Sequence, residues 1–113
     1  EMLDILKSLI AGAGYRFYGA SNAGHCLRLV RDVEPDLILL DVQMPEIDGF
    51  DLCRQIRAVE AWKNIPIAFV TARRTAQDVK AGVAAGGNDF ITKPFDAKNL
   101  MTRVDRWMKQ RQH

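Results

Sequence analysis

Residues Leu37-Ile38-Leu39-Leu40 form an unbroken apolar run that stops at a single carboxylate, Asp41, with Met44-Pro45 and Asp48-Gly49 close behind. A continuous run of this kind suits a strand buried on both faces, as in a parallel sheet covered by helices. The proline and glycine that follow predict a tight loop. Asp41 then stands at the carboxyl edge of the sheet, where open α/β sheets bind ligands. An aspartate there either caps its own loop or works in a crevice as nucleophile or metal ligand.

Two more strand ends bear on that choice. Ile67-Ala68-Phe69-Val70 ends in Thr71-Ala72, and Phe90-Ile91-Thr92 ends in Lys93-Pro94. A carboxylate, a hydroxyl and an ammonium at the ends of parallel strands suit phosphoryl transfer to a carboxylate. Asp41 would attack phosphorus, while Thr71 and Lys93 would bind and neutralise the equatorial oxygens. Singly, Thr71 reads equally well as a helix cap and Lys93 as a solvated lysine. Together, each at its own strand end, they define a candidate site.

The rest of the chain alternates helix and strand patterns, without repeat or low-complexity segment. Residues 2–12 carry Leu3, Leu6, Leu9 and Ile10 on one helical face and stop at Gly12 and Gly14; residues 15–20 read as a short strand. Ser21 or Asn22 caps a helix that Pro35 blocks from extending. A helix over 49–59 has Phe50, Cys53, Ile56 and Arg57 along its inner side, and Trp62 is expected to pack over a helix end. Thr75 and Asp78 form a capping box for a helix to about Ala85. Asp96 caps a last helix over 97–110 with Leu100, Val104, Trp107 and Met108 as its core stripe. Such alternation implies parallel pairing with right-handed crossovers.

With 113 residues, 48% hydrophobic and 27% charged, the chain has the makings of one domain with one core. A net charge of +2 argues for neither nucleic acid nor membrane, and no apolar run approaches a membrane span. The run of basic residues Arg103, Arg106, Lys109 and Arg111 towards the end of the chain reads as a solvated face. Cys26 and Cys53 fall at apolar helix positions without metal-ligand spacing, so buried free thiols in a reducing cytoplasm are expected. His25 reads as a surface helix residue, and His113 is the final residue.

The stretches LILLDVQMPEIDGFDLCRQIR, AFVTA and GGNDFITKPF together resemble a response-regulator receiver domain of two-component signalling. The resemblance covers essentially all of residues 1–113 as a single domain. It implies a flavodoxin-like α/β three-layer sandwich whose parallel sheet has the order 2-1-3-4-5. It makes Asp41 the phosphoacceptor, Thr71 the switch hydroxyl, Lys93 the phosphate-binding lysine and Phe90 the switch aromatic. Ala72 would leave room for Phe90 to swing inward, and Gln43, Met44, Pro45 and Gly49 form the loop beside Asp41. Pro94 matches a proline preceded by a cis peptide bond, and Gln43 and Arg73 stand where the family tunes hydrolysis. The implied partner is a histidine kinase or histidine phosphotransfer protein.

The resemblance also implies Mg²⁺, held by Asp41, the Gln43 backbone carbonyl and acidic residues at the end of a first strand. No counterpart of that strand is found. The sequence opens at Glu1 in the helix pattern that follows it, with Glu1 and Asp4 read as solvated or first-turn charges. The expectation is therefore an N-terminally incomplete receiver, with residues 15–20 separated from residues 37–41. A homodimer through residues 75–110 is expected, with Arg103, Arg106 and Lys80 pairing with Asp105 and Asp89 across a two-fold axis. Two other functions compete with the self-phosphorylating switch: a receiver-like interaction module that takes no phosphate, and an aspartate-nucleophile phosphohydrolase. Gln43 counts against the hydrolase, because an amide cannot serve there as general acid.

Overall fold

A computed structural model describes residues 2–111; Glu1 and His113 lie outside them. The described elements are α1 (Met2–Gly12), α2 (Ala23–Val33), β1 (Ile38–Leu40), α3 (Gly49–Arg57), β2 (Ile67–Thr71), α4 (Ala76–Ala84), β3 (Asp89–Thr92) and α5 (Ala97–Arg111). A short 3₁₀ turn, Glu60–Trp62, follows α3 and packs Trp62 against the core. The three strands are parallel, in the order β1-β2-β3, with Ile38 opposite Ile67 and Thr71 opposite Thr92.

Side-chain alternation along the central strand builds three layers. Ile67 and Phe69 enter the core against α2 and α3, whereas Ala68 and Val70 face α1 and α5. Every residue of β2 is buried, as expected of a strand covered on both sides. The caps explain where the helices begin. Asn22 Oδ1 accepts from the His25 N–H at 2.8 Å, Thr75 and Asp78 form the reciprocal capping box, and Asp96 Oδ1 accepts from the Lys98 N–H at 3.1 Å. This is the flavodoxin-like α/β arrangement the sequence implies.

Several expectations need correction. Residues 15–20 are not a strand: the segment carries no ladder, because β1 pairs with β2 alone. A cleft of about 960 Å³ runs along the other edge of β1, lined by Leu6, Tyr15, Phe17, Leu37, Leu39 and Asp41 among others. Without a neighbouring backbone to bond, a β-prone sequence remains merely extended. Arg57 does lie along the inner side of α3, half-buried, and acts there through hydrogen bonds. Its Nε donates to Gly86 O at 2.9 Å and its Nη2 to Asn88 Oδ1 at 2.7 Å, an arrangement that fixes the turn after α4. Cys53 is fully buried, but Cys26 is only half-buried; desolvation raises both thiol pKa values.

The dimer expectation also changes. Asp89 and Asp105 are engaged within the chain: Arg103 Nη1 pairs with Asp89 Oδ1 at 2.6 Å, and the Tyr15 hydroxyl donates to Asp105 Oδ1 at 2.6 Å. Packing of α5 against β3 and against the 15–20 segment brings these groups together. The two acids are therefore already matched before any second copy approaches.

Candidate functional site

Asp41 follows β1 directly, Thr71 is the last residue of β2, and Lys93 follows β3. Parallel strands in register bring their carboxyl ends to one edge, and there the three residues meet. Lys93 Nζ lies 3.1 Å from Asp41 Oδ2, with the two side chains 31% and 25% exposed. The pair is thus reachable from solvent yet partly desolvated. The Lys93 N–H also donates to Thr71 O at 2.8 Å, which ties the lysine's backbone to the central strand. Thr71 is fully buried, and its Oγ1 accepts from the Arg73 N–H at 3.1 Å. The Lys93-Pro94 peptide bond is cis, as the resemblance implies.

The loop after Asp41 folds back on itself. Asp41 Oδ1 accepts from the Gln43 N–H at 3.0 Å, Gln43 bridges to Asp48, and the Gly49 N–H donates to Val42 O at 2.7 Å. Gly49 is required by this close approach: a Cβ there would sit 2.3 Å from Asp41 O. Met44 packs against the core, while Pro45 is exposed. A shallow cavity of about 620 Å³ opens beside the loop, lined by Gln43, Met44, Glu46, Asp48 and Arg73 among others. Phe90 is half-buried against Phe69, ring centroids 5.9 Å apart, and Ala72 is exposed.

This layout is a carboxylate with its countercharge at the mouth of a parallel sheet. The sequence description of the response regulator receiver domain matches residues 1–105. The chain belongs to the response regulator receiver domain family. Receivers of this family serve two-component signalling. A transcriptional regulatory protein of Bacillus subtilis, YrkP, is 41% identical over 101 residues, covering 89% of this chain and 42% of that protein. The DNA-binding response regulator MtrA of Mycolicibacterium smegmatis is 34% identical over 104 residues, covering 92% of this chain and 44% of that protein. This receiver thus spans less than half the length of these curated relatives.

Among solved structures, the receiver domain of a Pseudomonas aeruginosa sensor histidine kinase superposes with a TM-score of 0.85 at 29% identity. The match covers 94% of this chain and 87% of that one, and that protein holds a magnesium ion in its active-site cleft. Among the described residues no three His, Cys, Asp or Glu side chains converge on a metal-sized space. The Asp41 carboxylate, already paired with Lys93, and the Gln43 carbonyl fall short of the near-octahedral oxygen shell magnesium demands. These residues do not make a magnesium site by themselves.

Sequence reasoning placed Arg73 only where the family tunes hydrolysis and did not join it to Asp48 and Phe50. Arg73 Nη1 lies 3.5 Å from Asp48 Oδ2, and its guanidinium stands over the Phe50 ring. The only advance signal was the pairing of a charge just past Thr71 with acids on both flanking loops.

Proposed function

We propose that Asp41 accepts a phosphoryl group from the phosphohistidine of a histidine kinase or phosphotransfer protein. The observation that carries this reading is the 3.1 Å pair between Lys93 Nζ and Asp41 Oδ2, at a strand edge shared with Thr71. An Asp41 carboxylate oxygen bonds to phosphorus as the phosphorus–nitrogen bond breaks, and the bonding pair leaves on the imidazole nitrogen. Lys93 neutralises the incoming charge, and the Thr71 hydroxyl donates to a phosphoryl oxygen. Phosphorylation adds about two negative charges and three acceptor oxygens. Phe90 follows Thr71, and the face of α4, β3 and α5 shifts between two pre-existing states.

The domain is on this reading a switch that catalyses its own phosphorylation, not a turnover enzyme. It works in the cytoplasm and signals through protein contacts, including self-association through residues 75–110. Arg103 is turned inward onto Asp89, which takes one basic side chain of α5 out of any nucleic-acid surface, and direct nucleic-acid contact is no part of this reading. Any role for magnesium requires oxygen donors beyond Asp41 and the Gln43 carbonyl.

Incubation of the full-length protein with acetyl phosphate in magnesium-containing buffer, followed by intact-mass measurement, tests the reading. Gain of one phosphate by the wild type and none by Asp41→Asn supports it. Steady hydrolysis of the donor would indicate a phosphohydrolase, and no label at all an interaction module.

A further inference from the structure

A single side chain ties the β2–α4 loop to two other parts of the fold. Arg73 donates from Nε and Nη2 to Asp78 Oδ1, at 3.1 and 2.9 Å. Its Nη1 reaches towards Asp48 Oδ2 at 3.5 Å, and its guanidinium carbon lies 5.2 Å from the centroid of the Phe50 ring. Its backbone N–H is the donor to Thr71 Oγ1. Arg73 therefore touches the loop that carries Asp41, the start of α3, the first turn of α4 and the buried Thr71 hydroxyl.

The contacts continue inward from both ends of the guanidinium. Phe50 packs edge-on against Phe69 with centroids 5.0 Å apart, and Phe69 packs against Phe90 at 5.9 Å. On the other side Asp78 Oδ2 accepts from the Thr75 N–H and hydroxyl, so the α4 cap and the Arg73 contact share one carboxylate. Gly82 of α4 lies directly over Phe69 and Phe90: a Cβ there would approach the two rings to 3.1 and 3.3 Å. Neither Thr71 nor Phe90 can move far without disturbing this assembly.

We infer that Arg73 is a positioning residue that clasps the β2–α4 loop, with Thr71 and α4, in the unphosphorylated arrangement. The inference rests on the reading of Asp41 as phosphoacceptor, and it concerns the forward step and its coupling to α4, not the lifetime of the phosphate. For Thr71 to advance on a phosphoryl oxygen, the loop must carry the Arg73 backbone with it. The guanidinium must then leave Asp48, Asp78 or the Phe50 face. Release of the clasp is part of activation. Ion pairs with a side chain 36% exposed contribute little to global stability, so the clasp should be visible in switching, not in unfolding.

The experiment compares wild type, Arg73→Ala, Arg73→Lys and Thr75→Ala, labelled with acetyl phosphate in magnesium-containing buffer and followed by intact mass. Phe90 ring resonances are recorded before and after labelling with ¹³C-phenylalanine protein. Arg73→Ala should be labelled about three- to tenfold faster than wild type, the scale of a modest coupling change. Its unlabelled Phe90 signals should lie part-way to the phosphorylated positions. Arg73→Lys should fall between the two, keeping the charge but losing the planar fork. Thr75→Ala, which breaks the cap but leaves the guanidinium in place, should not accelerate labelling. A labelled wild type with an equally fast or slower Arg73→Ala, and unmoved Phe90 signals, overturns the clasp alone. An unlabelled wild type overturns the phosphoacceptor reading, and the clasp with it.

Discussion

Lys93 Nζ and Asp41 Oδ2 meet at 3.1 Å although their strands do not touch, since β2 lies between β1 and β3. The lysine spans the end of the central strand to reach the carboxylate, directly past Thr71, whose carbonyl holds the Lys93 N–H. The site is thus built across the sheet edge, and its geometry depends on the register of all three strands. In Lys93→Ala the fold should survive, because a part-exposed pair is worth about 0.2–1 kcal/mol. Labelling of Asp41 should nevertheless slow by about a hundredfold, as when one donor to a developing anion is removed. Equal labelling rates, measured by intact-mass time course, would show that Lys93 does not act on the phosphoryl group.

Gly49→Ala should be among the most damaging small substitutions, since its Cβ would meet Asp41 O at 2.3 Å and Val42 Cα at 2.6 Å. Backbone cannot yield as a flexible side chain does, so a loss of about 1–3 kcal/mol is expected. Gly12→Ala supplies the contrast. Nothing lies within 4 Å of a Cβ there, and removing glycine from the end of α1 should stabilise by about 0.4–1 kcal/mol. Urea unfolding of the two variants should therefore give shifts of opposite sign.

Asp78 predicts a pH dependence. Hydrogen bonds from the Thr75 hydroxyl and N–H hold its pKa below the ordinary 3.8, with Arg73 adding to the effect. A carboxylate depressed on folding contributes stability that is fully present above its unfolded pKa and lost as pH falls through the folded one. Wild type should therefore be more stable than Asp78→Asn at neutral pH, with the gap closing below about pH 4. Parallel stability curves down to pH 2, measured by chemical denaturation, would contradict this.

Much of this was legible in the sequence because the signals are local. Apolar runs broken by Asp41, Thr71 and Lys93 locate strand ends, and Asn22, Thr75 with Asp78, and Asp96 announce helix starts within three residues of their own chain. What could not be read depends on partners distant in sequence. Residues 15–20 have strand composition, but a strand exists only through a neighbour. Arg73 pairs with Asp48 only because the β1–α3 and β2–α4 loops rise from adjacent strands. For the same reason Arg103 and Asp89 read as complementary charges for a second copy, when the packing of α5 on β3 already joins them.

That internal pairing yields a prediction about stability and its reporter. Asp89 accepts from Arg103 Nη1 at 2.6 Å and from Trp107 Nε1 at 3.0 Å, so one carboxylate fixes two side chains of α5 against β3. Its side chain is 16% exposed, and water can only partly replace it. Asp89→Ala would leave a guanidinium and an indole N–H without their partner, at a cost of about 1–3 kcal/mol. Trp107 emission should shift to the red in the folded variant as the indole turns towards solvent, whereas Trp62, on the far side of the sheet, should not change. Because the Arg103–Asp89 pair lies within one chain, Arg103→Ala should lower the urea midpoint at every protein concentration alike. A midpoint that falls only on dilution would instead place the pair across an interface between two copies.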